Sequence, residues 1–415
     1  MHSETDLFTL ALGLTSPWQV SDVHFDLEAG KIDFEITYNR GASFSCPACE
    51  AAEQGVHDNR RRSWRHLNFF QYQAYIHADT PRVRCEKCGK TSQVTPPWTR
   101  KGSGFTLLME ALVVTLCKQM PVRSVSRLLG VSDGQIWRLL DHYVDAARAQ
   151  ENFESVTSVG IDETASKRGQ NYISLFHDLD KKRVLFACEG RGKKTVEDFT
   201  KDLVAHGGQV DKIEEVCIDM SPSYIAGVAE HLPEAEVTFD PFHVIAIVNK
   251  AVDTVRREEV KEKPVLKGTR YIWLKNEKNR TAKQQETFES LPNSKLKTAR
   301  AWAIKVALQD IYATCQSMRQ AEEALTKWWN WAIRCRLKPM VEAARTVRRH
   351  WLGILSWFDG GLNNGGVESI NSLIQAAKAR AKGYGTTKHL ITMTYLIAGK
   401  LTRLPAPPFI TRCCG

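Results

Sequence analysis

Residues 156–162 read VTSVGID, a largely apolar run that ends on a carboxylate. Such a run predicts a strand with its acid at the carboxyl end. Two more strand-like runs follow, 172–178 (YISLFHD) and 183–189 (RVLFACE). A helical stretch comes next at 195–206. Then come a strand at 215–219 (EVCID), a helix at 222–232 and a short strand at 236–240 (EVTFD). Three strands, then helix, strand, helix, strand and helix make an α/β pattern. The first part of this core is expected over 152–250.

Beyond it, residues 251–355 turn helical in periodicity and rich in charge. Six of the eleven tryptophans fall here: Trp273, Trp302, Trp328, Trp329, Trp331 and Trp351. That many large rings at helical spacing predicts the packing of an all-helical insertion. A glycine-rich stretch, 359–366 (DGGLNNGG), precedes a further helix over 367–380. This returns the chain to the core over 356–402 and leaves a tail at 403–415. On the amino-terminal side, 105–150 reads as three short helices of a module expected over 99–151. Residues 36–98 are strand-rich, with alternation in 70–77 (FQYQAYIH) and 80–85 (TPRVRC), and Pro96 and Pro97 close that module. Residues 1–35 carry no motif and are expected to form an arm or a dimerisation element. The fold class expected is a multidomain α+β chain with two small modules ahead of an interrupted α/β core.

Composition narrows the function. With 43% hydrophobic and 25% charged residues over 415 positions, the chain resembles an ordinary globular protein. Global disorder, collagen-like repeats and a disulfide-stapled miniprotein are excluded. Apolar runs such as 111–117 fall short of the roughly 18 residues a membrane span needs, so no membrane partner is expected. Residues 1–13 do not read as a signal peptide, and the expected location is the cytoplasm. The net charge is +10, and it is unevenly placed. Residues 57–138 hold 14 Lys/Arg against 5 Asp/Glu, so one fifth of the chain carries +9. A polyanion such as nucleic acid would be drawn there.

Two Cys-x-x-Cys knuckles, Cys46/Cys49 and Cys85/Cys88, are separated by 35 residues. Four thiolates in two such pairs suit one tetrahedral Zn²⁺ in a closed, structural site. The other seven cysteines lie mostly in apolar contexts and read as buried thiols of a reducing compartment. Arg60, Arg61, Arg62 and Arg65 lie between the knuckles, and Arg82 and Arg84 just before the second. They are candidate phosphate contacts. Residues 122–129 (VRSVSRLL), the turn Gly130-Val131-Ser132 and residues 133–143 (DGQIWRLLDHY) form a helix-turn-helix pattern. Ser132 and Gln135 make a capping box at the start of the second helix. Arg123, Arg127, Ser132, Gln135 and Arg138 are its candidate DNA contacts, with Gln135 and Arg138 suited to base edges.

Three acids stand at informative places: Asp162 and Asp219 at strand ends and Glu368 near the start of the last core helix. Carboxylates are the hard oxygen ligands that Mg²⁺ prefers, or Mn²⁺ in its place. A pair of such ions can clamp an in-line phosphoryl transfer.

Several stretches together resemble the ISL3 family of insertion-sequence transposases. They are GIDE at 160–163, DLD at 178–180 with RVL at 183–185, IDMS at 218–221 with Tyr224, and DPFHV at 240–244. To these are added KGTRY at 267–271, GVESIN at 366–371 and Gly383-Tyr384, with the Cys-x-x-Cys pairs and the helix-turn-helix. The likeness covers roughly residues 40–400. It implies a DDE catalytic domain of the ribonuclease H-like fold, with Asp162, Asp219 and Glu368 as the metal-binding triad. Asp240 and His243 would be a supporting D-x-x-H element. The helical insertion would occupy the 148 residues between Asp219 and Glu368. Lys378, Arg380 and Lys382 would hold DNA phosphates. The implied partners are the terminal inverted repeats of the element and a target duplex, and cutting two ends together implies at least a homodimer. The implied reaction is metal-dependent strand cleavage followed by strand transfer from a 3′-hydroxyl. Two other readings share these features: a DNA-binding regulator derived from a transposase, and a ribonuclease H-like nuclease without strand transfer.

Overall fold

Ile32, Phe34 and Ile36 alternate with Lys31, Asp33 and Glu35, and the period of two makes a strand with one buried face. This strand belongs to the first of two units in a computed structural model that describes residues 3–167, 171–292, 295–360 and 365–406. The first unit comprises Met1–Tyr143 with Arg403–Gly415, and the second Val144–Thr402.

The first unit opens with α1 (Glu4–Ala11), started by a capping box between Ser3 and Asp6. It continues with β1 (Trp18–Asp26), β2 (Lys31–Tyr38), β3 (Val56–Arg65), β4 (Gln73–Arg84) and β5 (Thr91–Gln93). The sheet order is β1-β2-β4-β3, with β5 also paired to β4. Residues 18–38, expected to fall largely in an arm, are thus two strands of the sheet that carries the cysteine module. The two runs expected at 70–77 and 80–85 are one strand. It continues through Pro81, which lacks only a donor: its carbonyl still accepts from the Val94 amide at 2.9 Å. Trp18, Phe34, Trp64, Ile76 and Trp98 fill the core of this sheet. Three helices follow: α2 (Leu107–Gln119), α3 (Val122–Leu129) and α4 (Asp133–Arg148). The last runs past the expected end at residue 143.

The second unit is built on β6 (Ser158–Ala165), β7 (Tyr172–Asp178) and β8 (Arg183–Glu189), an antiparallel meander. Then come α5 (Lys193–Ala205), β9 (Glu215–Ile218), α6 (Pro222–His231) and β10 (Glu236–Phe239). The sheet order is β10-β9-β6-β7-β8. β9 runs parallel to β6, and β10 parallel to β9. Parallel neighbours need long crossovers, which α5 and α6 supply. β9 and β10 therefore end side by side next to β6, which runs on to Ala165, so Asp162, expected at a strand end, lies within its strand.

The chain then becomes helical: α7 (Pro241–Glu259), α8 (Arg270–Leu274), α9 (Ala282–Ser290), α10 (Lys297–Thr314), α11 (Met318–Ile333), α12 (Lys338–Arg349) and α13 (Trp351–Gly360). Val248, Trp273, Leu308, Trp328 and Ile354 join these helices to the sheet in one apolar core. Trp273 and Trp328 are buried, with ring N–H groups donating to Thr269 Oγ1 at 3.1 Å and the Ile304 carbonyl at 2.8 Å. Trp331, by contrast, is exposed. The chain closes on α14 (Gly365–Arg380) and α15 (Thr387–Ala398). Of the glycine-rich stretch before α14, residues 361–364 lie outside the described residues, as do Cys413 and Cys414 of the tail. Among the described residues, no helix is long and apolar enough to cross a membrane.

Candidate active site and nucleic-acid interface

The sheet register brings three acids to one edge. β6 and β9 pair Gly160 with Cys217, so two residues further each chain carries an aspartate, Asp162 and Asp219. β10 and β9 pair Phe239 with Ile218, and the next residue on β10's side is Asp240. Asp162, Asp219, Asp240 and His243 line one small pocket, together with Gly160 and with Val367 of α14. Gly160 packs closely there. A Cβ added to it would lie 2.8 Å from Leu179 Cδ2 and 3.0 Å from Val367 Cγ2. The glycine lets the first turn of α14 approach the strand that carries Asp162.

Each aspartate is fixed locally. Asp162 Oδ1 accepts from the Glu163 amide at 2.7 Å, and its Oδ2 accepts from Asn371 Nδ2. Asp219 Oδ1 accepts from the Ser221 amide at 2.9 Å. Asp240 is buried and caps α7, with Oδ1 accepting from the Phe242 amide at 2.8 Å. Burial holds the Asp162 carboxyl above its ordinary range. The Glu163 amide and His243 oppose that shift, and the nearby Asp219 and Asp240 add to it. Glu163 is shifted the same way, again chiefly by burial, with Arg191 opposing. Negative charge is therefore crowded here, an environment that a cation would relieve. Glu368 lies on α14, and its side chain is outside the described ones.

Asn371, Gln375 and Lys378 of α14 all bond to β6, at Asp162 Oδ2, Thr164 Oγ1 and the Ala165 carbonyl. Of these, only Lys378 was singled out in the sequence, as a phosphate contact; in the structure its amine is tied to β6. Arg380 and Lys382 are exposed. The spacing of 371, 375 and 378, four and three residues apart on one helix, was the available signal for the other two.

The four cysteines converge. Cys46 Sγ lies 3.8 Å from Cys88 Sγ, and Cys49 Sγ 3.5 Å from Cys85 Sγ. Among the described residues, these are the only three or more candidate ligands whose atoms all lie within 4.8 Å of one another. A tetrahedron with Zn–S bonds of about 2.3 Å has sulfur–sulfur edges of about 3.8 Å, so the set fits structural zinc. The Ala48 and Cys88 amides each donate to a cysteine sulfur at 3.4 Å. The Cys88 amide is the main influence that brings the Cys85 thiol down to about 7.

The arginines of this module divide by environment. Arg60 and Arg84 are exposed. Arg61 is paired with Glu35 at 2.5 Å, and Arg82 with Asp58. Arg62 lies over the Trp64 ring. Arg65 is buried, donating to the His66 carbonyl, the Ala74 carbonyl at 3.0 Å and Asn68 Oδ1 at 2.5 Å. It braces the sheet and is not presented to solvent. In the helix-turn-helix, α3 ends on Gly130, whose φ of +65° suits glycine. The Gln135 amide donates to Ser132 Oγ at 3.3 Å, and the Ser132 amide to Gln135 Oε1 at 3.1 Å, completing the box. Arg123, Arg127, Ser132, Gln135 and Arg138 are exposed, with Arg123 3.8 Å from Asp133. Gln135 uses its oxygen in the cap, leaving its NH₂ as the group available to a base.

Comparison with known proteins agrees across the chain. The ISL3 family model described as "Transposase" matches residues 159–394. A model for the helix-turn-helix domain of transposase family ISL3 matches 94–144, and one for the zinc-finger of transposase IS204/IS1001/IS1096/IS1165 matches 42–88. The transposase for insertion sequence element IS1557 of Mycobacterium tuberculosis is 28% identical over 378 residues, covering 83% of each chain. The transposase for insertion sequence element IS1001 of Bordetella parapertussis is 25% identical over 347 residues, covering 82% of this chain and 85% of its own. With its catalytic-domain match spanning more than half the chain, behind a zinc ribbon and a DNA-binding helix-turn-helix, the protein belongs to the ISL3 family of DDE transposases.

Proposed function

We propose that this transposase binds the terminal inverted repeats of an insertion sequence and performs Mg²⁺-dependent cleavage and strand transfer with Asp162, Asp219 and Glu368. The observation that carries the reading is the pocket shared by Asp162, Asp219, Asp240 and His243, where β9 and β10 end beside Asp162 within β6. The strand order, an antiparallel meander followed by two parallel strands, supports a ribonuclease H-like core. In that core, the helical stretch over 251–355 forms the insertion between the second aspartate and the glutamate. The domain division is then a zinc module at 36–98 whose sheet is completed by strands from the preceding residues 1–35, a helix-turn-helix domain at 99–151, core at 152–250 and 356–402, insertion at 251–355 and a tail at 403–415.

Bound Mg²⁺ would supply Lewis-acid activation of a hydroxyl or water and charge neutralisation at the leaving oxygen. Asp162 and Asp219 hold their carboxylates at the sheet edge through bonds from backbone amides, so both need little rearrangement to act as ligands. Asp240 fixes the first turn of α7 and with it His243. The exposed Arg127, Gln135 and Arg138 read and grip the repeat. Arg60, Arg62 and Arg84 add phosphate contacts, and Arg380 and Lys382 contact DNA beside the active site. Coordinated cutting of two ends calls for a homodimer or larger assembly, working at the nucleoid.

The test is strand nicking on DNA bearing the inverted repeats that flank the gene. Wild-type protein with Mg²⁺ is expected to nick at the repeat boundary. Asp219→Ala is expected to bind the same DNA within about threefold and to lose at least a hundredfold in nicking rate. Tight binding without nicking by wild type, in Mg²⁺ or Mn²⁺, would instead favour a regulator.

A further inference from the structure

α14 is laid along β6 by three side chains. Asn371 reaches Asp162, Gln375 reaches Thr164 and Lys378 reaches the Ala165 carbonyl. The helix positions advance by four and three residues, about one turn each, while the strand positions advance by two and one. Helix and strand are thereby fixed in one register, with Asn371 at the end nearest the acidic pocket.

The amide of Asn371 has only one way to face Asp162. An ionised carboxylate accepts and does not donate, so it is Nδ2, and not Oδ1, that bonds to Asp162. That Oδ1 is buried and has no hydrogen-bond partner among the described residues. A buried acceptor without a partner is costly, about 1–3 kcal/mol, and such atoms in native proteins usually meet a water or an ion. Here the atom sits on the side chain that already grips Asp162. An amide oxygen is a hard, neutral ligand of the kind that divalent cations accept beside carboxylates. Resting on the reading of Asp162 as a cation ligand, we propose that Asn371 is a further member of that site. Its Nδ2 orients the Asp162 carboxylate, and its Oδ1 faces the bound divalent cation or a water that the cation carries. Each Asp162 oxygen that accepts an N–H keeps a second lone pair, so the Asn371 bond does not block the ligand. Gln375 and Lys378 act further along, keeping α14 in register.

The experiment is Mn²⁺ binding to the full-length protein without DNA, read from the loss of the free-ion EPR signal. Thermal unfolding is measured on the same samples in the absence of divalent ions. Asp162→Ala is expected to abolish this binding. Asn371→Leu, close in size but without polar atoms, is expected to weaken it about tenfold or more, in the range that groups supporting a ligand contribute. Asn371→Asp keeps an oxygen at the same place. It loses the Nδ2 donor but turns the facing oxygen into a charged ligand, so it is expected to bind Mn²⁺ at least as tightly as wild type, and to melt lower without the ion because it faces Asp162 with like charge. A purely structural Asn371 would lower the melting temperature and leave Mn²⁺ affinity unchanged in Asn371→Leu. That result overturns the proposal, as does weaker binding by Asn371→Asp. If Asp162→Ala itself retains Mn²⁺ affinity, the cation site is elsewhere and the reading beneath the proposal fails first. Should Asn371→Leu not fold, Asn371→Asp still decides, since its shape is unchanged.

Discussion

His177 lies on β7 with no exposed surface, and neither of its ring nitrogens has a hydrogen-bond partner among the described residues. Burial disfavours the imidazolium and pulls its pKa down to about 3. In the unfolded chain the same ring titrates near its ordinary value of about 6.5. Between those values the unfolded state binds the proton and the folded state does not. Stability from this residue is therefore fully present above pH 6.5 and is lost as the pH falls toward 3. Going from pH 7 to pH 5, the loss comes to about 2 kcal/mol. His177→Leu should remove that dependence and, by deleting two unpaired buried polar atoms, be at least as stable as wild type at pH 7. Urea unfolding at pH 7 and pH 5 checks this. Equal losses for both proteins over that interval would mean that His177 is neither dry nor neutral in the fold.

At the level of elements, the strands of the second unit were legible because they are buried on both faces. β7 (YISLFHD) is almost wholly buried, and a continuous apolar run between polar turns has few other readings. The aspartates at the ends of such runs were legible for the same reason. The amino-terminal strands were harder. β1 carries a bulge between Val20 and Asp22 that breaks its alternation. β3 contains Arg60, Arg61 and Arg62, and its charge hides its pairing with β4. The α14–β6 bonds were not legible at all. They join residues more than 200 positions apart, and only the tertiary register says which side chains meet. The start of α10 is a further case. Its N-cap residue is Leu296, which offers no side-chain acceptor. The acceptor comes from Glu259 at the end of α7. Its two oxygens take the Lys297 amide at 2.8 Å and the Thr298 amide and hydroxyl at 2.7 Å. The carboxylate is buried, so its loss leaves helix-end donors unpaired in the interior. Glu259→Gln should cost about 1.5–3 kcal/mol and Glu259→Ala more, measured by urea unfolding. A change below about 0.5 kcal/mol for both would show that water serves this helix end equally well.

For the whole molecule, the concentration of positive charge in residues 57–138 overstates the surface that DNA can use. Arg65 is buried, Arg61 and Arg82 face acids, and Arg100 faces the buried Glu110 at 3.0 Å. The exposed remainder includes Arg127 on α3 and Arg138 on α4, on either side of the Gly130 turn. A contact with a DNA phosphate releases bound counterions, and each contact contributes about 0.9 to the slope of log affinity against log salt. General positive charge far from the duplex contributes much less, because screening removes it beyond about 10 Å at 0.1 M salt. Arg127→Ala and Arg138→Ala should therefore each flatten the salt slope of inverted-repeat binding by about 0.9. Lys327→Ala, which removes the same unit charge from an exposed site on α11, should leave it unchanged. Binding isotherms from 50 to 200 mM salt, roughly the range over which such contacts are resolved, separate the two kinds of charge. Equal slopes for all three variants and wild type would mean that the helix-turn-helix does not carry the phosphate contacts, and would move the DNA grip to Arg60, Arg62 and Arg84 of the zinc module.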